Sequence, residues 1–397
     1  MQSDAIATFD YHPRTRVVFG PGSVDQVGKL AAELGGRRVL IVTDPGIVAA
    51  GHSARVEQLL QKSGLGVVIY DRVRENPTTR DVEQCVQAAR EAGIDLFAGL
   101  GGGSSMDTAK ACNLILTNGG QMRDYWGVGK ATKPMLPLIA IPTTAGTGSE
   151  CQSAALIADE STHQKMACLD PKVAARVAIL DPVLTISQPA RVTACTGIDA
   201  IAHAVETAVT KKRNPLSTLY AREAFRLAAG SFARVLEDPL DLEARGRMLL
   251  GAAFAGTAIE NSMLGAAHSA ANPLTAHFDI IHGQAVGMML PAVVRFNASE
   301  PAARHEYAEL VATIPAGEDT HPEEAAGPLV RRLEDLLDRA SMPRSLAECG
   351  IPRTAIPMLA AEAAKQWTAI FNPRKVTAED FVSLYEAAFE PRASAEL

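Results

Sequence analysis

Short apolar runs alternate with helix-length amphipathic segments over the first part of the chain. The runs contain many β-branched and other large apolar residues, which favour strands. They occupy residues 38–43, 66–70, 95–100, 136–141 and 177–180. Between them, segments such as 48–64 and 80–92 carry apolar residues three and four positions apart, which is typical of amphipathic helices. The alternation predicts a parallel sheet covered by helices.

The pattern changes after Asp181 and Pro182, where the β-rich runs stop. The remaining sequence is rich in Ala, Leu and Glu and has helical periodicity, which is clearest at residues 217–236, 242–259 and 328–339. Pro182 and Pro189 mark the boundary between the two patterns. We therefore expect an α/β domain at residues 1–185 and an all-helical domain at 186–397, with the active site in the cleft between them.

A length of 397 residues is enough for two domains with large cores. Hydrophobic residues make up 47% of the chain and charged residues 21%, an ordinary balance for a globular protein. The net charge of −7 disfavours nucleic acid and anionic membranes as partners. The six cysteines form no CxxC pair, and the N-terminus has no basic region followed by an apolar run. We expect a cytoplasmic protein with neither a nucleic-acid nor a membrane partner.

An acidic residue and three histidines form the first chemical signal. Asp199 and His203 are four positions apart, so on a helix both side chains leave the same face. His268 and His282 follow in glycine-flanked segments and complete a set of one oxygen and three nitrogen ligands. Such a set suits Fe(II) or Zn(II) better than Mg²⁺ or Ca²⁺. The alternative is a helix-capping aspartate and three core histidines, but together the four predict a metal site.

A glycine-rich turn is the second signal. Gly101, Gly102 and Gly103 directly follow the apolar run at 95–100 and precede a helix that begins near Ser104. Three glycines let the backbone approach a ligand closely, and the free N–H groups of a helix start bind anions such as a pyrophosphate. The turn lacks the GxGxxG spacing of the Rossmann fingerprint, so a turn without a ligand is the alternative.

Two further segments are placed to join that site. Residues 142–150 follow the run at 136–141 and supply hydroxyls and glycines where a parallel sheet binds ligands. Asp44 ends the run at 38–43, where a carboxylate can accept hydrogen bonds from an adenosine ribose. The same charge repels a 2′-phosphate, which favours NAD over NADP. The alternative for Asp44 is a turn residue before Pro45.

Four motifs resemble, in order and spacing, those of the iron-containing (group III) alcohol dehydrogenases. They are GGGSSMDTAK at 101–110, PTTAGTGSE at 142–150, GIDAIAHAVE at 197–206 and GAAH…IHG at 265–283. The resemblance runs from Val17 to Arg374 and implies a dinucleotide-binding α/β domain followed by an all-helical domain, as in dehydroquinate synthase-like proteins. It also implies an NAD- and metal-dependent enzyme that interconverts a small primary alcohol and its aldehyde by hydride transfer.

The resemblance assigns site residues one by one. The metal ligands it implies are Asp199, His203, His268 and His282. The cofactor contacts it implies are Asp44, Asn76, Gly102, Gly103, Ser104, Ser105, Met106, Asp107, Thr143, Thr144, Thr147 and Lys165. Asn76 and Lys165 enter through the resemblance alone.

The chain departs from the family at two positions near the metal motif. The family usually has another histidine four residues after the third ligand, where this chain has Asn272. His277 stands where the family usually has a bulky apolar residue. An amide does not titrate near neutral pH, whereas a dehydrogenase must release a proton. Asn272 and His277 are therefore candidate catalytic residues, with His277 as the proton carrier; the alternative is a rim histidine without a role.

Two other activities fit the same plan. One is a hydroxyacid–oxoacid transhydrogenase that retains NAD, and the other is a dehydroquinate synthase-like lyase. The lyase needs several basic groups, and the one dense basic run of the helical domain is at residues 211–213, which is typical of a solvated helix end. The family also implies a homodimer or higher homo-oligomer joined through N-terminal strands, for which residues 7–11 are the candidate.

Overall fold

A computed structural model describes residues 8–162, 164–314 and 326–389. Contacts within the chain define two compact units. One spans His12–Gln188, and the other contains the described residues from Pro189 onward together with residues 8–11. Residues 8–11, which the sequence places in the first domain, thus group with the helical unit.

The first unit is built from strands and helices that alternate along the chain. Its strands are β1 (Arg16–Phe19), β2 (Arg38–Val42), β3 (Gly66–Tyr70), β4 (Leu96–Gly101), β5 (Gly127–Val128), β6 (Leu138–Pro142), β7 (Ala154–Ala158), β8 (Lys165–Leu169) and β9 (Val177–Leu180). Its helices are α1 (Val27–Glu33), α2 (Pro45–Ala49), α3 (His52–Lys62), α4 (Thr79–Ala92) and α5 (Gly103–Asn118).

The main sheet has the strand order β1-β9-β6-β4-β2-β3, and its neighbouring strands are all parallel. The predicted parallel sheet is therefore confirmed, and each of the predicted apolar runs contributes a strand. Both faces of the sheet are buried at its central strands β2, β4 and β6. Along β2, Leu40 and Val42 enter one apolar cluster, while Val39 and Ile41 enter the cluster on the other face. Such two-sided burial explains why these strands are continuously apolar.

The strand order reverses around β2, which has β3 on one side and β4 on the other. Open parallel sheets bind ligands at the carboxyl ends of the strands at such a reversal. Asp44 follows β2, and Gly102 follows β4. Thr143, which follows β6, donates its backbone N–H to the Gly101 carbonyl oxygen at 3.0 Å. The three predicted cofactor segments therefore leave the sheet side by side.

Two details of the first unit differ from the sequence prediction. The segment 48–64 forms two helices, α2 and α3, because Gly51 adopts a left-handed φ of 79° between them. A second sheet of order β5-β8-β7, with β7 and β8 antiparallel, was not predicted. Its strands are short, and β7 consists mostly of alanine, so they lack the β-branched pattern that marks the main sheet.

The regular elements that the structure describes in the second unit are all helices, as predicted. Its helices are α6 (Ala190–Thr207), α7 (Pro215–Glu237), α8 (Leu242–Ser262), α9 (Ala266–Phe278), α10 (His282–Asn297), α11 (Pro301–Ala312), α12 (Ala326–Arg339), α13 (Ile356–Ala363) and α14 (Ala378–Phe389). Residues 8–11 form no strand, and residue 7 of the expected edge strand lies outside the described residues. Within the described ranges, no helix is long and apolar enough to cross a bilayer.

Helix α6 is the centre of this unit and packs against α7, α8 and α10. Two close approaches require glycine. A Cβ on Gly197 would lie 2.4 Å from Cε2 of Phe232 on α7. A Cβ on Gly283, near the start of α10, would lie 2.0 Å from the carbonyl oxygen of Cys195 on α6. These glycines bring the polar residues of α6 and the start of α10 together.

Candidate metal and dinucleotide sites

Asp199 and His203 lie one turn apart on α6, and both are buried, with exposed fractions of 4% and 5%. Nε2 of His203 lies 3.5 Å from Oδ1 of Asp199. Because α6 is covered on several sides by other helices, these polar groups have little access to water and need partners within the protein. The partners come from the starts of two other helices.

His268 is near the start of α9, and His282 is the first residue of α10. Their Nε2 atoms lie 3.4 Å and 4.0 Å from Oδ1 of Asp199. The ring of His268 stacks on that of His203 with a centroid distance of 4.7 Å. The structure thus brings the four predicted ligands into one cluster. His282, with a side chain 29% exposed, lies on its solvent side.

The cluster has the chemistry of a divalent metal site. Oδ1 of Asp199 and Nε2 of His268 are buried and have no hydrogen-bond partner among the described residues, although they lie 3.4 Å apart. Ligand atoms of Asp199, His268 and His282 all lie within 4.8 Å of one another. Atoms bonded to one tetrahedral ion at about 2.1 Å would lie roughly 3.4 Å apart. Small adjustments would allow these atoms to share an ion, so the residues fit the implied metal.

The electrostatics of the cluster also favour a cation. Burial raises the pKa of Asp199, but the charges of His203 and His282 and a contact with His268 outweigh burial and hold this pKa well below its usual range. Burial lowers the pKa of His268, but Glu206 and Asp199 outweigh it and raise the pKa to about 9. The first shift shows that the Asp199 carboxylate is stabilised in its charged form, and the second shows that the acidic neighbours of His268 stabilise positive charge there.

Glu206 is a buried member of the site that the sequence interpretation missed. One carboxylate oxygen, Oε2, lies 2.5 Å from Nδ1 of His268, and the other accepts the backbone N–H of Ala267 at 2.7 Å. On α6, Glu206 comes three residues after His203 and seven after Asp199, which places all three on one face. That spacing was the available signal.

The two candidate catalytic residues lie on α9 but have partners outside the cluster. Asn272 donates its amide N–H to Oε1 of Gln366 at 3.0 Å. His277 lies in the last turn of α9, where its Nε2 contacts the Glu362 carboxylate at 2.8 Å and its side chain is 39% exposed. Nine residues of helix put His277 about 13.5 Å along the axis from His268 and about half a turn around it. His277 thus lies well away from the ligand atoms of the cluster, and its proton-carrying role stays a prediction.

In the first unit, the two carboxylate oxygens of Asp44 have different partners within the protein. Its Oδ1 accepts the backbone N–H of Ile47 at 3.1 Å and so caps α2. Its Oδ2 accepts a hydrogen bond from the Ser105 hydroxyl at 3.4 Å, which places the carboxylate against the glycine turn. Asp44 is thus a helix cap and also a member of the candidate dinucleotide site.

The glycine turn is closely packed. Gly101 has a left-handed φ of 142°, and a Cβ there would lie 2.5 Å from the Ser105 hydroxyl oxygen. A Cβ on Gly103 would lie 2.8 Å from Cγ2 of Thr147, so only glycine allows the two loops to approach this closely. The hydroxyl of Thr144, next to Gly102, is buried without a hydrogen-bond partner among the described residues. A buried polar group beside a helix start is consistent with a bound ligand.

Asp107 and Met106 have structural roles. The Asp107 carboxylate accepts hydrogen bonds from the Ser149 hydroxyl at 2.7 Å and the Leu156 backbone N–H at 3.2 Å, so both of its oxygens are engaged within the protein. Burial raises the pKa of Asp107, and Lys110 opposes the shift. Met106 belongs to an apolar core cluster. These side chains hold the turn in place, and their contact with a cofactor stays a prediction.

The remaining predicted cofactor residues lie around the turn and on the second sheet. Ser104 is in the first turn of α5, and Thr143 is buried beside Gly101. Asn76 is exposed with a left-handed φ of 51°, and its neighbour Pro77 accepts the backbone N–H of Ala158 at 2.9 Å. Ala158 pairs across the strands with the exposed Lys165. The last residue of β7, Ala158, therefore lies between the segment that carries Asn76 and the start of β8 at Lys165.

Comparisons with known proteins show which families and folds the chain resembles. A family profile described as iron-containing alcohol dehydrogenase matches residues 13–182, and the C-terminal profile of the Fe-containing alcohol dehydrogenase family matches 193–389. The chain is 34% identical over 372 residues to the NAD-dependent methanol dehydrogenase of Bacillus methanolicus, covering 94% of this chain and 97% of that protein. It is 32% identical over 384 residues to the 1,3-propanediol dehydrogenase of Klebsiella pneumoniae, covering 96% and 99%. A crystal structure of 1,3-propanediol oxidoreductase superposes with a TM-score of 0.93 at 31% identity, covering 96% of this chain and 100% of that one.

Proposed function

Because the chain belongs to the iron-containing alcohol dehydrogenase family, we propose that it interconverts a small primary alcohol and its aldehyde with NAD as the hydride carrier and a divalent metal at the Asp199 cluster. The observation that carries the proposal is the pair of buried atoms without hydrogen-bond partners among the described residues, Oδ1 of Asp199 and Nε2 of His268. They belong to a cluster whose ligand types match the metal that the family name specifies.

The chain's own residues set the properties of this site. Asp199 is the single anionic ligand among three imidazoles, so it halves the formal charge of a divalent ion. His203, His268 and His282 supply nitrogen ligands that favour Fe(II) or Zn(II) over alkaline-earth ions. A metal bound there supplies Lewis acidity toward an alcohol or carbonyl oxygen. We propose Fe(II) as the native ion, with Zn(II) as the alternative.

NAD is proposed for the site at the carboxyl ends of β2 and β4. The start of α5 offers backbone N–H groups to a pyrophosphate, and the Thr144 hydroxyl lies beside them. The Asp44 carboxylate, next to this turn, disfavours a 2′-phosphate. NAD is therefore preferred to NADP, and the redox chemistry is that of the nicotinamide itself.

A substrate panel tests the proposal. The protein is purified anaerobically, its metal content is measured, and NADH formation is followed at 340 nm with short primary alcohols, diols and longer alcohols. We expect NADH formation with at least one alcohol, loss of the activity on chelation, and its return with Fe(II) or Zn(II). Turnover of a hydroxyacid with an oxoacid acceptor, without free NADH from any alcohol, would instead establish the transhydrogenase.

The lyase alternative receives no support from the basic run at residues 211–213. Arg213 donates to the carbonyl oxygens of Val209 and Thr210 at 3.4 Å and 3.2 Å, so it stabilises the chain just after α6. This arrangement does not provide the cluster of cationic groups that a phosphorylated, carboxylated substrate needs. Dehydroquinate synthase activity is therefore not proposed.

We also propose a homodimer or higher homo-oligomer in the cytoplasm. β1 lies at the edge of the main sheet, and its Val17 and Phe19 are 42% and 46% exposed. An exposed apolar edge strand is a natural pairing surface for another chain. Light scattering coupled to size-exclusion chromatography tests the assembly, and cell fractionation tests the location.

A further inference from the structure

Glu206 is a nearly fully buried carboxylate, with an exposed fraction of 3%, to which neither the motifs nor the proposed reaction assigns a role. It lies at the contact between α6 and the start of α9. Oε1 accepts the backbone N–H of Ala267, and Oε2 contacts Nδ1 of His268 at 2.5 Å. Burying a carboxylate is costly unless hydrogen bonds compensate, so these two contacts account for its position.

The start of α9 is shaped around this carboxylate. Gly265, the residue before the helix, provides no side-chain cap, so a donor of the first turn depends on Glu206 of the neighbouring helix. A Cβ on Gly265 would lie 3.1 Å from Oε1 of Glu206 and 3.0 Å from Oδ1 of Asn372. Glycine therefore leaves room for Glu206 and Asn372 beside the helix start.

The contact with Nδ1 determines what the other ring nitrogen does. When the carboxylate accepts the Nδ1 hydrogen of a neutral imidazole, Nε2 carries a lone pair. In His268, Nε2 faces Oδ1 of Asp199 at 3.4 Å and has no hydrogen-bond partner among the described residues. We propose that Glu206 is a positioning residue that fixes this tautomer and ring orientation of His268 and thereby sets the affinity of the metal site.

The inference rests on the metal site of the proposed function, and Glu206→Gln tests it. Glutamine has the same shape, but its single oxygen cannot accept from both Nδ1 of His268 and the N–H of Ala267. The affinities of the chelator-treated proteins for Co(II) and Zn(II) are measured by competition with a chromophoric chelator, and the visible Co(II) spectrum is recorded. We expect affinity to fall by about 10- to 100-fold, with an altered Co(II) spectrum and unchanged NADH binding.

Asn372→Ala is the matched control. Oδ1 of Asn372 accepts the backbone N–H of Ala266 at 3.3 Å, so this residue supports the same helix start without a contact to His268. If Glu206 acts through the histidine, Asn372→Ala lowers stability while metal affinity changes less than about threefold. Equal losses of affinity in the two variants would show that Glu206 only supports the helix, which would overturn the inference.

The outcomes separate the inference from the proposed function. Wild-type protein that binds neither metal would contradict the metal site itself. If the wild-type protein binds metal and Glu206→Gln binds it with equal affinity, the proposed role of Glu206 is overturned, whereas the metal site stands. If Glu206→Gln does not fold, Glu206→Asp replaces it. Its carboxylate is one methylene shorter, so at least about threefold weaker binding is expected, and unchanged affinity would overturn the inference.

Discussion

At the scale of single residues, Asp44 uses its two carboxylate oxygens for different purposes. Oδ1 caps α2 through Ile47, while Oδ2 lies against Ser105 in the glycine turn. A substitution that removes the whole side chain therefore changes both the helix cap and the charge beside the candidate ribose site. The two effects are separable because asparagine caps helices about as well as aspartate.

Asp44→Gly should raise the use of NADP relative to NAD, because the repulsion of a 2′-phosphate is lost. We expect the ratio of kcat/KM for NADP to that for NAD to rise by at least about tenfold, which corresponds to about 1.4 kcal/mol. Asp44→Asn keeps the cap and removes the charge, so it should shift the ratio in the same direction. An unchanged ratio in both variants would limit Asp44 to its capping role.

Glu150 couples the stability of the first unit to pH. It is buried, and its Oε1 has no hydrogen-bond partner among the described residues. Burial raises its pKa from 4.5 to about 7, although Lys110 opposes the shift. The folded protein therefore retains a proton that the unfolded chain releases. The stabilisation is fully present below pH 4.5 and is lost as the pH rises through about 7.

Relative to Glu150→Gln, the wild-type protein should lose about 3 kcal/mol of unfolding free energy between roughly pH 4 and 8, because the shift is about two and a half pKa units. Urea unfolding of both proteins, followed by fluorescence at several pH values, measures this difference. A difference that stays constant over this range would show that Glu150 keeps its charge in the folded protein.

At the scale of helices, the site depends on how closely α10 approaches α6. Gly283 follows His282 directly, and its backbone lies against the Cys195 carbonyl. An alanine there forces the start of α10 away from α6 and moves His282 with it. Gly283→Ala should therefore cost about 1–3 kcal/mol of unfolding free energy and weaken metal binding.

Gly230→Ala is the control for that prediction. Gly230 lies within α7, and an added Cβ would have no atom within 4 Å. It should leave metal affinity unchanged and stabilise the protein by about 0.4–1 kcal/mol, because alanine lowers the entropy of the unfolded chain. Thermal unfolding and metal titration compare the two variants. Equal behaviour would mean that the close approach at Gly283 does not position His282.

The limits of sequence prediction are also visible at this scale. The strands of the main sheet were predictable because burial on both faces makes them continuously apolar. The spacing of helical residues likewise predicted that Asp199 and His203 share one face. The same spacing places Glu206 on that face. The position of His277 was not predictable, because Pro273 lies within α9 without ending it. Its partner Glu362 is 85 residues away in sequence, and only tertiary packing brings the two together.

At the scale of the whole molecule, chemistry is divided between two compact units. The helical unit holds the cluster of Asp199 and the three histidines, whereas the α/β unit holds Asp44 and the glycine turn. A change confined to the metal cluster should therefore abolish turnover while leaving dinucleotide binding nearly intact. His268 is the best position for this test, since its contacts lie within the helical unit.

The most direct test of the central claim compares the wild-type protein with His268→Ala and with the control His277→Ala, a surface change on the same helix. Alcohol-dependent NADH formation and NADH binding are measured after chelation and again after addition of Fe(II) or Zn(II). We expect added metal to restore the activity of the wild-type protein and of His277→Ala but not that of His268→Ala. All three proteins should bind NADH, and the two active ones should have the same pH profile. A flattened profile in His277→Ala would instead establish its predicted role in proton transfer. Wild-type activity in chelated His268→Ala would contradict the metal-dependent mechanism.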